Sequence, residues 1–149
     1  GSKLLSDNAI DALKMHLFSI ATVITPNIPE AEVLTGLSIK SKEDMQEAAE
    51  EIAKVTCGYV LVKGGHLEDC ADDLLYIKGN TYWYESPKID NPNTHGTGCT
   101  LSSAIACNLA SGLDIVESVK KAKEYITGAL RANLKLGKGR GPLNHCFNL

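Results

Sequence analysis

The sequence lacks any apolar run near the roughly 18 residues that a membrane-crossing helix needs, and no charged-then-apolar leader opens it. A bilayer span is not expected, and the cytoplasm is the expected compartment. An excess of positive charge is also missing. With a formal net charge of −3, the chain offers nucleic acid or an anionic membrane no general electrostatic attraction, so any phosphate site has to be local. Neither is an expected partner. The five cysteines, Cys57, Cys70, Cys99, Cys107 and Cys146, form no Cys-x-x-Cys pair, and the four histidines do not cluster with them. That spacing excludes the usual thiolate zinc site and redox dithiol, and reduced thiols are expected. Aromatics are few, and Tyr76, Tyr82, Trp83 and Tyr84 gather in strand-like sequence, where packing accounts for them without a base-stacking platform.

What is present suits one domain with a real core, given 149 residues of which 44% are hydrophobic. Ser6 is placed to cap a helix to about Phe18 with Ile10, Leu13 and Leu17 on an inward face. Ala21 to Thr25 reads as a short buried parallel strand stopped by Pro26. Pro29 then suits the first position of a helix ending before Gly36, with Glu30 and Glu32 in its first turn, where the helix dipole favours acids whatever their function. Ser41 and Asp44 form a capping-box-like start for a helix striped by Met45, Ala48, Ala49, Ile52 and Ala53 and ended by Cys57-Gly58. Tyr59 to Val62 reads as a second buried strand, and the alternation of strand and helix argues for an α/β layer fold.

Lys63 follows that strand directly, so its ammonium group emerges where open parallel sheets bind ligands, although a lone lysine ending a strand is more often merely solvated. Asp72 to Ile77 and Thr81 to Glu85 predict an antiparallel hairpin around Lys78-Gly79-Asn80. Ser86 to Thr94 is a connector. A helix ending at Gly112 follows, then another opened by Asp114 and Glu117, with Ile115, Val119, Ala122, Ile126 and Ala129 recurring at helical spacing. The basic, glycine-rich segment Gly137 to Pro142 is read as a loop.

The connector delivers the chain to Asn93-Thr94-His95-Gly96-Thr97-Gly98-Cys99-Thr100, which runs straight into the apolar segment Leu101 to Ala110. Glycines flanking a threonine let successive N–H groups converge, and the following helix adds unpaired donors and the positive end of its dipole. Such a turn is built to hold an anion. Cys99, read at the first helical position, lies in a field that also favours a thiolate. Taken without context, the same eight residues are read slightly better as a plain turn, with Thr97 or Thr100 as a cap and Cys99 as a small buried side chain.

Context comes from Thr25-Pro26-Asn27-Ile28-Pro29-Glu30-Ala31-Glu32, Val60-Leu61-Val62-Lys63-Gly64-Gly65-His66 and Gly96-Thr97-Gly98-Cys99, in that order. With these motifs the chain resembles the hydroxymethylpyrimidine phosphate kinases of thiamine biosynthesis, within the ribokinase-like superfamily. The resemblance covers essentially all 149 residues but only the carboxyl-terminal part of the family's chain. It implies an α/β three-layer sandwich with a mostly parallel central sheet, of which residues 1–149 would be the carboxyl-terminal, nucleotide- and phosphate-binding part of a single kinase domain.

For the residues, the resemblance implies an anion hole at Gly96, Thr97, Gly98 and Cys99, and Cys99 as the group that accepts the acceptor's hydroxyl proton or orients that hydroxyl. Lys63 and Asn27 would meet the nucleotide phosphates, and Glu30 the magnesium ion on them through water, while Glu32 keeps its helix-dipole reading and His66 is assigned no more than a loop position, with a site role left open. ATP and Mg2+ are the implied cofactors and an aminopyrimidine the implied substrate, in a homodimer that includes the amino-terminal part. Two other readings stay open. One is a pyridoxal or pyridoxine kinase of the same superfamily, and the other a noncatalytic nucleotide-binding fragment.

Overall fold

A computed structural model describes residues 7–65, 71–86, 89, 91, 96–134 and 141–148. Ser6, His66, Asn93, Thr94, His95 and most of the glycine-rich segment 137–142 lie outside them. The chain divides into two compact units, residues 1–87 and 88–149.

The first unit runs α1 (Asp7–His16), β1 (Val23–Ile24), α2 (Ile28–Thr35), α3 (Lys42–Ala53), β2 (Tyr59–Lys63), β3 (Asp73–Ile77) and β4 (Asn80–Tyr84). Its sheet has the order β1-β2-β3-β4. β1 and β2 pair in parallel, which requires the crossover that α2 and α3 supply, and β3 and β4 extend the sheet as an antiparallel hairpin. The hairpin turn is tighter than its sequence suggests. Lys78 and Gly79 both take positive φ, the geometry of a two-residue turn, so Asn80 already pairs with Ile77.

Helix α3 follows its sequence closely. Ser41 Oγ accepts from Asp44 N at 3.1 Å, Asp44 Oδ2 accepts from Ser41 N at 2.9 Å, and Met45, Ala48, Ala49 and Ile52 are buried. These four join Phe18, Ile28, Ala31, Ile39, Val60, Val62 and Leu74 in one core, against which Leu13 and Ala53 are partly buried. Fully burying a Val, Leu, Ile, Met or Phe side chain contributes about 1.5–3 kcal/mol, less for the alanines, and this cluster is what seats the helices on the sheet.

Two expected boundaries and one expected inward residue differ. β1 shrinks to Val23–Ile24, the residues of the run that pair in register with Tyr59 and Val60, while Thr22 contributes only its carbonyl, which accepts from Tyr59 N at 2.9 Å. α3 ends at Ala53 rather than at Cys57-Gly58, since Lys54 N and Val55 N turn back to Glu51 O and Ile52 O in a tightened last turn. Leu17, expected inward, is exposed and Phe18 is buried instead. Leu17 N and Phe18 N both donate to Leu13 O, which widens the turn after α1 and swings Phe18 into the core.

The second unit is built on α4 (Thr97–Ala110) and α5 (Ile115–Arg131). Asp114 caps α5 through Glu117 N at 2.9 Å, and Gly112 takes a positive φ between the helices. Leu101 and Ile105 of α4 and Ile115, Val119, Ala122 and Ala129 of α5 are buried, while Ile126 is half-buried. Asn108 Nδ2 donates to Ser118 O at 3.0 Å, fastening one helix to the other. No helix among the described residues is long and apolar enough to cross a membrane.

Candidate functional site

In the first unit the site residues meet at the carboxyl ends of the two parallel strands. Pro26 lies just beyond β1 and its carbonyl accepts from Lys63 N at 2.8 Å, and Asn27 and Lys63 form a parallel bridge. Asn27 and Lys63, 36 positions apart in sequence by their numbers, are thus neighbours in space. This strand end is where ligands of open α/β sheets bind.

Asn27 is also the N-cap of α2. Its Oδ1 accepts from Glu30 N at 2.8 Å, and Glu30 Oε2 accepts in return from Asn27 N at 2.8 Å. The pair is a capping box, worth about 0.5–2 kcal/mol to the helix, and it fixes both side chains beside Lys63. The pattern Asn-x-x-Glu before an apolar helix is the sequence signal for this bond, and the functional reading of Glu30 passed over it. Glu32 does more than answer the dipole, since its Oε1 accepts from Ile39 N at 2.9 Å and fastens the loop after α2.

A magnesium ion can be tested against these donors. Among the described residues no group of three or more His, Cys, Asp or Glu side chains gathers as a metal cage. Glu30 is exposed and one of its oxygens serves the capping box. One carboxylate oxygen fits an ion that arrives on nucleotide phosphates and keeps most of its waters, and does not fit an ion held by protein ligands alone.

Lys63 is half-buried at the end of β2, opposite Asp73 at the start of β3. Asp73, to which the sequence reading gave no role, is 6% exposed, and its Oδ1 accepts from Gly64 N at 2.9 Å. Gly64 is required by space: a Cβ there would lie 1.9 Å from Asp72 O. Asp72 in turn accepts from Ser86 N at 3.0 Å and pairs with Lys42 at 2.7 Å, and Lys42 Nζ also lies 4.9 Å from the centre of the Trp83 ring. Asp73 therefore holds the turn after Lys63, while Asp72 ties Ser86 and Lys42 beside it.

In the second unit, Gly96 is the N-cap of α4 with φ +83, a conformation that glycine adopts without strain, and no side chain caps the helix. The expected threonine cap does not form. Cys99 is the third residue of α4 rather than the first, and it is exposed rather than buried, which removes the reading of it as a packing residue. The first backbone bond of the helix runs from Thr100 N to Gly96 O at 2.9 Å, so the amides of Gly98 and Cys99 precede the ladder and have no acceptor within it. They stand at the positive end of a 14-residue helix. Ser102 Oγ donates to Gly98 O at 2.9 Å, a back-bond across the first turn of the helix. The four cysteines among the described residues are all free.

A strand-end lysine beside a capping asparagine, and a helix start with no side-chain cap entered through a left-handed glycine, lie in a chain of ribokinase-like α/β fold. The family described as phosphomethylpyrimidine kinase matches residues 1–144, and the chain belongs to that family. It is 43% identical over 149 residues to the hydroxymethylpyrimidine/phosphomethylpyrimidine kinase of Streptomyces coelicolor, covering 100% of this chain and 55% of that protein. It is also similar to the solved ADP complex of Bacillus subtilis pyridoxal kinase, with 39% identity, a TM-score of 0.88 and coverage of 95% and 56% of the two chains. For the phosphomethylpyrimidine kinase of Clostridium difficile the values are 43%, 0.72, 85% and 51%. The chain spans about half the length of these relatives.

Proposed function

We propose that the whole protein is an ATP-dependent phosphotransferase that phosphorylates 4-amino-5-hydroxymethyl-2-methylpyrimidine and its monophosphate for thiamine biosynthesis. Residues 1–149 are the carboxyl-terminal, nucleotide- and phosphate-binding part of its kinase domain. The observation that carries this reading is the start of α4, where Gly96 leaves the helix without a side-chain cap and Cys99 is exposed in the first turn. Phosphoryl transfer asks a protein mainly for positioning and charge neutralisation. The amides of Gly96 to Cys99 neutralise the transferring phosphoryl group, and Cys99 accepts the proton of the acceptor hydroxyl or orients it. Lys63 balances charge on the nucleotide phosphates. Asn27, whose Oδ1 is engaged by Glu30 N, offers its Nδ2 as a donor to them.

Magnesium, when carried in on the nucleotide, supplies charge neutralisation, with Glu30 reaching its water shell. A homodimer acting in the cytoplasm completes the reading. The full-length protein should phosphorylate the hydroxymethylpyrimidine with ATP. In it Cys99→Ala should lower kcat about 10²- to 10⁴-fold with little effect on nucleotide affinity, as for a lost general base. Near-parental turnover by Cys99→Ala would remove Cys99 from the mechanism.

The similarity to pyridoxal kinase over 95% of the chain, at the higher TM-score of the two structures named above, favours a second reading with pyridoxal as acceptor. Comparing kcat/KM for the two acceptors decides between them. Nucleotide binding without transfer to either would leave the noncatalytic reading.

A further inference from the structure

We infer that Asp73 is a positioning residue for Lys63, acting through the backbone of Gly64. The inference rests on the proposed contact of Lys63 with nucleotide phosphates. A nearly buried carboxylate is costly unless its oxygens are engaged, and Asp73 Oδ1 is engaged by the amide that immediately follows Lys63. On the other side of the same residue, Lys63 N is held by Pro26 O. The peptide groups before and after the Lys63 Cα are therefore both fastened, one to the strand that leads to Asn27 and the other to the strand that opens with Asp73. Gly64 leaves no room for adjustment, because it passes against the backbone of Asp72.

Two anchored peptides fix the direction of the Lys63 Cα–Cβ bond. A long, flexible side chain loses less by ordering when its root is already aimed. Removing the Asp73 acceptor would leave Gly64 N unsatisfied in a buried position and release one of the two anchors. The predicted signature is a weaker use of ATP rather than a slower chemical step.

The test uses the full-length protein and steady-state kinetics with ATP varied, in the parent, Lys63→Ala, Asp73→Ala, Asp73→Asn and the Lys63→Ala/Asp73→Ala double variant. Asp73→Ala should raise KM for ATP roughly tenfold with kcat within about twofold, as expected on losing one buried charge-assisted hydrogen bond that acts on binding. Asp73→Asn, which keeps an acceptor oxygen, should recover most of that loss. In the Lys63→Ala background, Asp73→Ala should change KM no further. A silent Lys63→Ala overturns the lysine reading and the inference with it. An effective Lys63→Ala with an Asp73→Ala effect that is absent, or that multiplies with it in full, overturns the inference alone. Should Asp73→Ala fail to fold, Asp73→Glu carries the same test by displacing the acceptor by one methylene, and an unchanged KM there overturns the inference.

Discussion

Glu30 has two calls on one carboxylate, and the chemistry of the capping box separates them. One oxygen serves the amide of Asn27, a task that glutamine performs as well as glutamate. The charge is what would attract a magnesium shell, and glutamine lacks it. In the full-length protein Glu30→Gln should therefore leave the melting temperature within about 2 °C, since an exposed substitution that keeps its hydrogen bond changes stability by less than ~0.5 kcal/mol. The magnesium concentration for half-maximal turnover should rise several-fold. A magnesium titration that overlays the parent's, with the stability unchanged, would return Glu30 to helix capping alone. At this scale the sequence was readable by residue type and less so by partner. It marked Lys63 and the glycine turn as candidates for phosphate handling, whereas the mutual bond of Asn27 and Glu30, although its Asn-x-x-Glu spacing is in the sequence, was passed over in favour of a role for each residue alone. Asp73 was hidden for a different reason. Its role depends on a strand register that joins residues ten apart across a hairpin side, and no local pattern encodes that register.

Among the elements, α3 has the cleanest electrostatic signature. The carboxyl of Asp44 is held below its ordinary value, first by the hydrogen bond from Lys40 N and then by Ser41, against a smaller cost of desolvation. For a depressed carboxyl, the stabilisation is fully present above the unfolded value of about 3.9 and is lost as pH falls through the lower folded value. Thermal unfolding of the parent should thus weaken more steeply than that of Asp44→Asn as pH drops below about 4. Parallel curves for the two proteins would exclude this cap as an acid-sensitive element. Helices such as α3 and α5 were legible because cap and stripe are local, and both Ser41 and Asp114 cap as their sequence indicates. Strand limits were not, because they depend on which residues fall into register with a strand distant in sequence, and β1 does so only at Val23 and Ile24. The start of α4 was misplaced by two residues, since a glycine N-cap leaves no side-chain mark to read.

For the molecule as a whole, the chain covers 55% of the length of the Streptomyces coelicolor relative, and its first unit exposes Met15, Leu17 and Ile20 within six residues. β1, with two residues, is an end strand of the described sheet. Exposed apolar side chains near a sheet edge favour association. Residues 1–149 expressed alone should therefore run as oligomers or aggregates on size exclusion, melt without a sharp transition and turn over neither acceptor. A stable monomer with robust kinase activity would overturn this expectation. The position of β2 carries a different consequence. Val60, Leu61 and Val62 are each at 0% exposure, and the strand is paired on both sides at its start and again at Lys63. Its amide protons belong with those that exchange only when the first unit opens globally. Lys63 is then a cation rooted on the least yielding segment of its unit, and on its proposed contact with nucleotide phosphates, arrival and departure of the nucleotide would be accommodated by the lysine side chain while the backbone beneath it stays still.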